Sequence, residues 1–426
     1  MSENLLLVIG SQFGEEKKEK FIDLLSNQYD YVVRYQGCGN ANRLFNFNNK
    51  LFKLNLIPSA IFNPRNRIVL SQGVFINPNV LLEELNILNN NQVLTNNLYI
   101  SDKSHIIFNF HIEMDKLLGE LNGEEKNEIV YKGVSSCSSD KVLKLGIRIC
   151  DLFDFNLLLQ KIQKNLQFKN VLFIKYGKQI FNPYSVAKQY FELGQKIKPF
   201  IINTSALLNY AYDRKNKILF EADDSVMLDV DYGNYPNISA DNAVVSVASG
   251  TGIAINKFKR ILGVIKAYSI KNDNSCFLTE IQNQGLLSLI REKRKEYNAD
   301  IKQLKRIGWL DLFLLKYVVS VSGMNEIAIT SISELTNIGK LKVCIGYQKN
   351  GKNLNYMPSS LEELKKCEPI YTEFDGWNQN VSNLKSYDDL PDNLKKYIIY
   401  IESFLRVKVR FISVGAHQSQ TIIKNN

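Results

Sequence analysis

Histidine and cysteine are scarce in this 426-residue chain, and their positions exclude several kinds of chemistry. The three histidines, His105, His111 and His417, leave no material for a histidine triad or a His-rich metal centre. The six cysteines (Cys38, Cys137, Cys150, Cys276, Cys344, Cys367) are widely scattered without any C-x-x-C, which argues against a zinc site and a disulfide framework. No apolar run approaches the roughly 20 residues that would cross a bilayer. Leu5–Ile9 is too short for a signal segment and no basic stretch precedes it. The expectation is a cytoplasmic protein with no membrane partner. No repeat and no proline- or serine-rich linker interrupts the chain.

What is present is apolar mass and positive charge. At 45% hydrophobic residues the chain can bury a large core. Length alone suggests about three domains, yet single α/β sheets of this size occur. The formal charge of +10 raises the question of nucleic acid. Its densest groups, EEKKEK at 15–20 and REKRKE at 291–296, are mixed in sign and read better as solvated helix faces. Nucleic-acid binding is therefore not expected.

Leu5–Ile9, Tyr31–Tyr35, Arg67–Leu70, Glu128–Tyr131, Asn170–Tyr176, Pro199–Thr204, Ile218–Glu221, Leu341–Gly346 and Arg410–Val414 read as strands. Helical patterns run over Glu15–Leu25, Asp154–Asn165, Ser185–Gln195 and Asp392–Leu405. Strands alternating with helices predict an α/β fold: one large, mostly parallel central sheet covered by helices on both faces. We expect one domain over 1–426, with subdomain excursions around the sheet. In such sheets ligands bind beyond the C-terminal strand ends. The stretch GSQFGEEKKEK (10–20) lies at such an end, with a helix N-terminus ready to meet an anion. It lacks the G-x-x-x-x-G-K-[ST] spacing of a Walker A loop.

Further blocks are RYQGCGNANR (34–43), LNLIPSAI (54–61), GIRICDLFD (146–154), LDVDYGNYPNIS (228–239), LGVIKAYS (262–269), GWLD (308–311), EPIY (368–371), DGW (375–377) and ISVGAHQSQTI (412–422). In order and approximate spacing they resemble the adenylosuccinate synthetase family from end to end. The resemblance implies that family's P-loop-like nucleotide-binding fold. It also implies the joining of IMP to L-aspartate with GTP and Mg²⁺, and a homodimer. In the family a carboxylate removes the N1 proton of IMP so that O6 attacks the γ-phosphate, a histidine supports the transfer, and the aspartate amine then displaces phosphate.

Carried over position by position, the resemblance places Gln12, Gly14, Glu16, Lys18, Lys20 and Asn40 in the nucleotide loop, with Phe13 in place of a tryptophan. The base position holds Glu15 and the histidine position Arg43. Glutamate keeps the charge but moves its carboxylate by about 1 Å, a displacement that can cost about a hundredfold in rate. Its hold on Mg²⁺, which demands near-ideal octahedral geometry, is open. Arginine cannot titrate near neutral pH, although it can stabilise phosphoryl charge. A Glu15–Arg43 ion pair filling the site is a further reading. Two loop glycines have become Lys17 and Glu19.

At the IMP site, Asp224 stands for a glutamine, while Ser239 and Asn242 fit a threonine and an asparagine. The cross-subunit arginine pair appears as Lys144-Leu145. Thr279, Lys305 and Arg306 remain of the aspartate site. The guanine-reading T-K-x-D is Thr330-Ser331-Ile332-Ser333, so Ser331 and Ser333 replace the lysine and the aspartate. The late G-P-D-R element reads Gly415-Ala416-His417-Gln418. Substitution at all three ligand sites predicts a degenerate homologue without the ligase activity. It would bind a protein partner, an active paralogue or a purine nucleotide. The alternative is a divergent Mg²⁺-nucleotide-dependent ligase or phosphotransferase using Glu15, Lys18, Lys20 and Arg43 on another substrate.

Overall fold

The computed structural model describes residues 4–38, 43–47, 50–123, 131–239, 246–294 and 305–424. Its centre is a ten-stranded sheet. In chain order the strands are β1 (Leu5–Gly10), β2 (Tyr31–Arg34), β3 (Arg67–Leu70), β4 (Leu98–Ser101), β5 (Ile201–Ile202) and β6 (Ile218–Ser225). Then follow β7 (Arg260–Lys266), β8 (Glu326–Thr330), β9 (Lys408–Ser413) and β10 (Thr421–Ile423). Across the sheet they lie in the order β10-β9-β8-β7-β1-β6-β2-β3-β4-β5. Every pairing is parallel except the edge pair of β9 with β10.

Unbroken apolar runs such as LLLVIG follow from this layering. Successive side chains of a strand point to opposite faces. Leu5, Leu7 and Ile9 enter one hydrophobic core, Leu6 and Val8 the other, and all five are at most 1% exposed. A strand covered on both faces has no solvent side on which to place polar residues.

Three sequence expectations change. Asn170–Tyr176 is not a strand: residues through Lys175 close the long helix Phe155–Lys175. Its buried positions Leu158, Ile162, Leu166, Lys169 and Phe173 keep a helical period, whereas Val171 (62% exposed) and Ile174 (66%) face outwards. The first helix begins at Glu19, not Glu15, because Lys17 adopts a left-handed φ of +62° and residues 15–18 form a loop. Pro199–Thr204 shrinks to the two-residue β5. Pro199 lies in the turn Lys198–Phe200, and Asn203 caps the helix Thr204–Asp213 by accepting from Ala206 N.

Leu341–Gly346 lies within the strand Lys340–Lys349 of a separate small sheet, antiparallel to Glu368–Asp375. The helix Asp392–Leu405 has the expected bounds. Residues 128–130 of the expected strand Glu128–Tyr131 lie outside the described residues. No helix among the described residues is long and apolar enough to cross a membrane.

Candidate active site at the C-terminal edge of the sheet

Because β1, β6, β7, β8 and β9 run parallel, their C-terminal ends share one edge. The candidate residues whose side chains are described lie at or near this edge. The loop after β1 is stitched to its neighbours. Gln12 accepts from Lys266 N (2.8 Å) and donates to Tyr268 O (3.2 Å) and Ser269 Oγ (3.3 Å). Thr330 Oγ1, at the end of β8, donates to Glu16 O (3.0 Å).

The loop amides converge on one of its own carboxylates. Glu16 Oε1 accepts from Gln12 N (2.7 Å) and Gly14 N (3.1 Å), and Oε2 accepts from Ser225 Oγ (2.6 Å). Glu16 is 1% exposed. Burial pushes its carboxyl above the usual range, against the stabilising Ser225 bond and the Lys18 charge. Gly14, at φ +99°, supplies a turn that residues with a Cβ rarely adopt.

The loop lysines bind the protein itself. Lys18 Nζ donates to the carbonyl of Asp223, and Lys20 Nζ to Ser413 Oγ (2.6 Å), Gly415 O (2.7 Å) and Gln420 O (3.2 Å). Burial, then the neighbouring Lys17 charge, lowers the Lys20 ammonium to about 8.

Glu15 sits half-buried in the loop after β1. Lys305 Nζ donates to its Oε2 (2.7 Å) and Asn272 Nδ2 to its Oε1 (2.9 Å). Burial opposes ionisation, but the Lys305 charge and hydrogen bond, with Asn272 and Lys266, outweigh it and hold this carboxyl below its usual range. Glu15 thus has a described partner in Lys305. The side chain of Arg43 lies outside the described residues, as do Asn40 and Asn242.

Arg306 is bound in a two-point pair by Glu280 (2.8 and 2.5 Å) and also donates to the carbonyls of Asp273 (2.9 Å) and Ser275 (2.7 Å). Thr279 is buried, its carbonyl accepting from Trp309 N (2.8 Å).

Below the end of β6 the buried Arg34 pairs with Glu221 (3.2 Å) and lies 4.0 Å from Asp223. It also donates to Asn55 O (2.7 Å) and Leu56 O (2.9 Å), tying in the LNLIPSAI block. Glu84 secures that block by accepting the amides of Asn55, Leu56 and Ile57. Ser239 hydrogen-bonds Asp224, whose carboxyl is pushed up by burial and by the adjacent Asp223.

At the β8 end, Ser331 Oγ accepts from the buried Lys266 Nζ (3.2 Å). Ser333 lies on the short turn Ile332–Leu335 beside Glu334, which accepts from Tyr268 Oη and pairs with Lys17 (3.5 Å). Residue-by-residue reading missed Asn272 and Lys266. Lys266 carried one signal, its place at a strand end in LGVIKAYS.

Mg²⁺ commonly takes one or two carboxylates plus substrate phosphates. Among the described residues no group of three or more His, Cys, Asp or Glu side chains forms a cage. Glu15, a half-buried and ionised carboxylate beside the loop, fits the single-carboxylate arrangement; Glu16 is spent on the loop amides.

A family model described as adenylosuccinate synthetase matches residues 7–422. A protein named adenylosuccinate synthetase from Malacoplasma penetrans (strain HF-2) is 64% identical over 426 residues, covering both chains completely. The adenylosuccinate synthetase of Acetivibrio thermocellus is 38% identical over 98% of this chain and 99% of its own. The structure of fully ligated adenylosuccinate synthetase from Plasmodium falciparum superimposes with a TM-score of 0.89 at 29% identity, covering 99% of this chain and 100% of that one. The expectation of a degenerate homologue without ligase activity is overturned by these relatives. At 64% identity over the whole length the likeness extends far beyond the scaffold blocks, and the relative carries the enzyme's name. This chain belongs to the adenylosuccinate synthetase family.

Proposed function

We propose that this chain is a GTP- and Mg²⁺-dependent ligase that joins IMP to L-aspartate. The observation that carries this reading is the ionised Glu15, held by Lys305 and Asn272 at the C-terminal edge of the sheet, in the family's base position. Glu15 takes the N1 proton of IMP, the O6 so activated attacks the γ-phosphate of GTP, and GDP leaves. The amine of aspartate then adds at C6, and the phosphoryl group departs as phosphate. Arg43, fixed in charge, stabilises the phosphoryl oxygens where the family uses histidine. Mg²⁺, when bound, supplies charge neutralisation on the nucleotide phosphates, with Glu15 as its protein ligand. Glu16 keeps the loop shaped for those phosphates, and Lys305 receives a carboxylate of aspartate. Purine-nucleotide binding, a homodimer and a cytoplasmic setting belong to the same reading.

The test is direct. Purified protein with IMP, L-aspartate, GTP and Mg²⁺ forms adenylosuccinate and GDP in equal amounts, and omission of any one substrate stops both. GTP consumption without adenylosuccinate would sink the proposal.

A further inference from the structure

Two adjacent cations near the loop after β1, Lys305 and Arg306, are each met by a carboxylate of the chain itself. The two pairs are built differently. Arg306 is fixed from several sides, by both oxygens of Glu280, by two backbone carbonyls, and by the Phe277 ring 5.4 Å below its guanidinium. The Lys305 ammonium, by contrast, donates to Glu15 Oε2 at 2.7 Å. Both side chains of that pair are 23% exposed. The two pairs are about equally accessible, but a single-contact lysine pair exchanges one carboxylate for another more readily than the two-point Arg306 pair.

Glu15 is a weakened base as it stands. Oε2 accepts from Lys305 and Oε1 from Asn272, and both bonds favour the ionised form over the protonated one. Lys266 is the further cation acting on this carboxylate, and its own ammonium donates to Ser331.

We propose that Lys305 is a positioning residue that changes partner: in the free protein it latches Glu15, and an incoming amino-dicarboxylate takes its ammonium and releases Glu15. This rests on the ligase reading. The base would then be freed when the acceptor is in place. The internal carboxylate competes with the substrate, so removing its charge should tighten dicarboxylate binding even as it removes the base.

The experiment is a calorimetric titration of L-aspartate into full-length protein saturated with IMP and free of Mg²⁺ and nucleotide, where Glu15 has no metal to hold. Wild type, Glu15→Gln, Lys305→Gln and the double variant are compared, with thermal melts to establish that each is folded. Glu15→Gln should bind about fivefold tighter than wild type and Lys305→Gln about fivefold weaker. In the double variant the Glu15→Gln gain should vanish. Asn272→Ala, which loosens the latch from its other side, should shift affinity in the same direction as Glu15→Gln by a smaller factor. Equal or weaker binding by Glu15→Gln, or no aspartate binding in any protein, overturns the handover. Turnover by wild type in the same preparation, once GTP and Mg²⁺ are added, reports separately on the ligase reading. Product formation with unchanged Glu15→Gln affinity removes the handover and leaves the ligase. Tightened binding without turnover does the reverse.

Discussion

Glu16 and Ser225 meet at 2.6 Å beneath the loop that follows the first strand, and the same carboxylate collects the amides of Gln12 and Gly14. The loop is therefore shaped by the chain's own buried anion. Glu16→Ala strands the buried Gln12 amide and Ser225 hydroxyl and removes the acceptor of the part-buried Gly14 amide, and should cost about 2–4 kcal/mol of stability. Chemical denaturation would show this as a lower midpoint with an unchanged slope. Gln at this position keeps the acceptor for the amides and should recover at least half of the loss.

Gly37 faces Asp223 across a gap with no room for a side chain. A Cβ there would lie 2.0 Å from Asp223 Oδ2, and the residue has φ +82°. Gly37→Ala should therefore destabilise by at least about 2 kcal/mol and displace the Asp223–Asp224 segment. A midpoint within 0.5 kcal/mol of wild type, an allowance typical of neutral surface changes, would mean the segment relaxes freely.

His105 gives a pH signature. Burial first, then the charges of Lys141 and Arg148, lowers its imidazole to about 4, and burial lowers His111 as well. The unfolded chain takes up these protons at about the ordinary value of 6.5. As pH falls from about 6.5 to 4 the unfolded state binds more protons than the fold, and stability is lost. Above pH 7 both rings are neutral in either state, and this contribution is flat. The loss from His105 should be on the order of 3 kcal/mol. Denaturation midpoints at pH 7, 6, 5 and 4 measure it, and His105→Asn should flatten the slope.

Nucleotide choice offers a kinetic prediction. Ser331 and Ser333 lack the carboxylate with which the family reads the guanine N1–H and amino group. Losing a buried hydrogen-bond reader erodes discrimination that can reach about 10⁴-fold. The ratio of kcat/KM for GTP over ATP should be below about 100. Restoring the acid with Ser333→Asp should raise it about tenfold.

How much of this was legible in the sequence differs by layer. The LLLVIG run and the strand–helix alternation gave the sheet, because a strand buried on both faces must be apolar throughout. Asn170–Tyr176 misled for the same reason: an apolar run looks identical whether it closes a helix or forms a strand, and only its exposed Val171 and Ile174 separate the two. The loop follows the first strand as expected, but its partners were not readable. Lys305 reaches Glu15 across 290 positions and Asn272 across 257, and no local pattern reports such contacts. Reading substitutions one by one also led to loss of activity as the expectation. A charged pocket can keep its chemistry with different residues, and the 64% identity of a named synthetase weighs against that loss.

The ligase assignment is tested most directly by adenylosuccinate formation by the purified chain, followed in ultraviolet absorbance with IMP, L-aspartate, GTP and Mg²⁺. Turnover on the order of 1 s⁻¹ or faster is expected. The Glu15→Gln variant, folded as judged by its melting curve, should be slower by at least about a hundredfold. Wild-type product formation no faster than that of Glu15→Gln would contradict it.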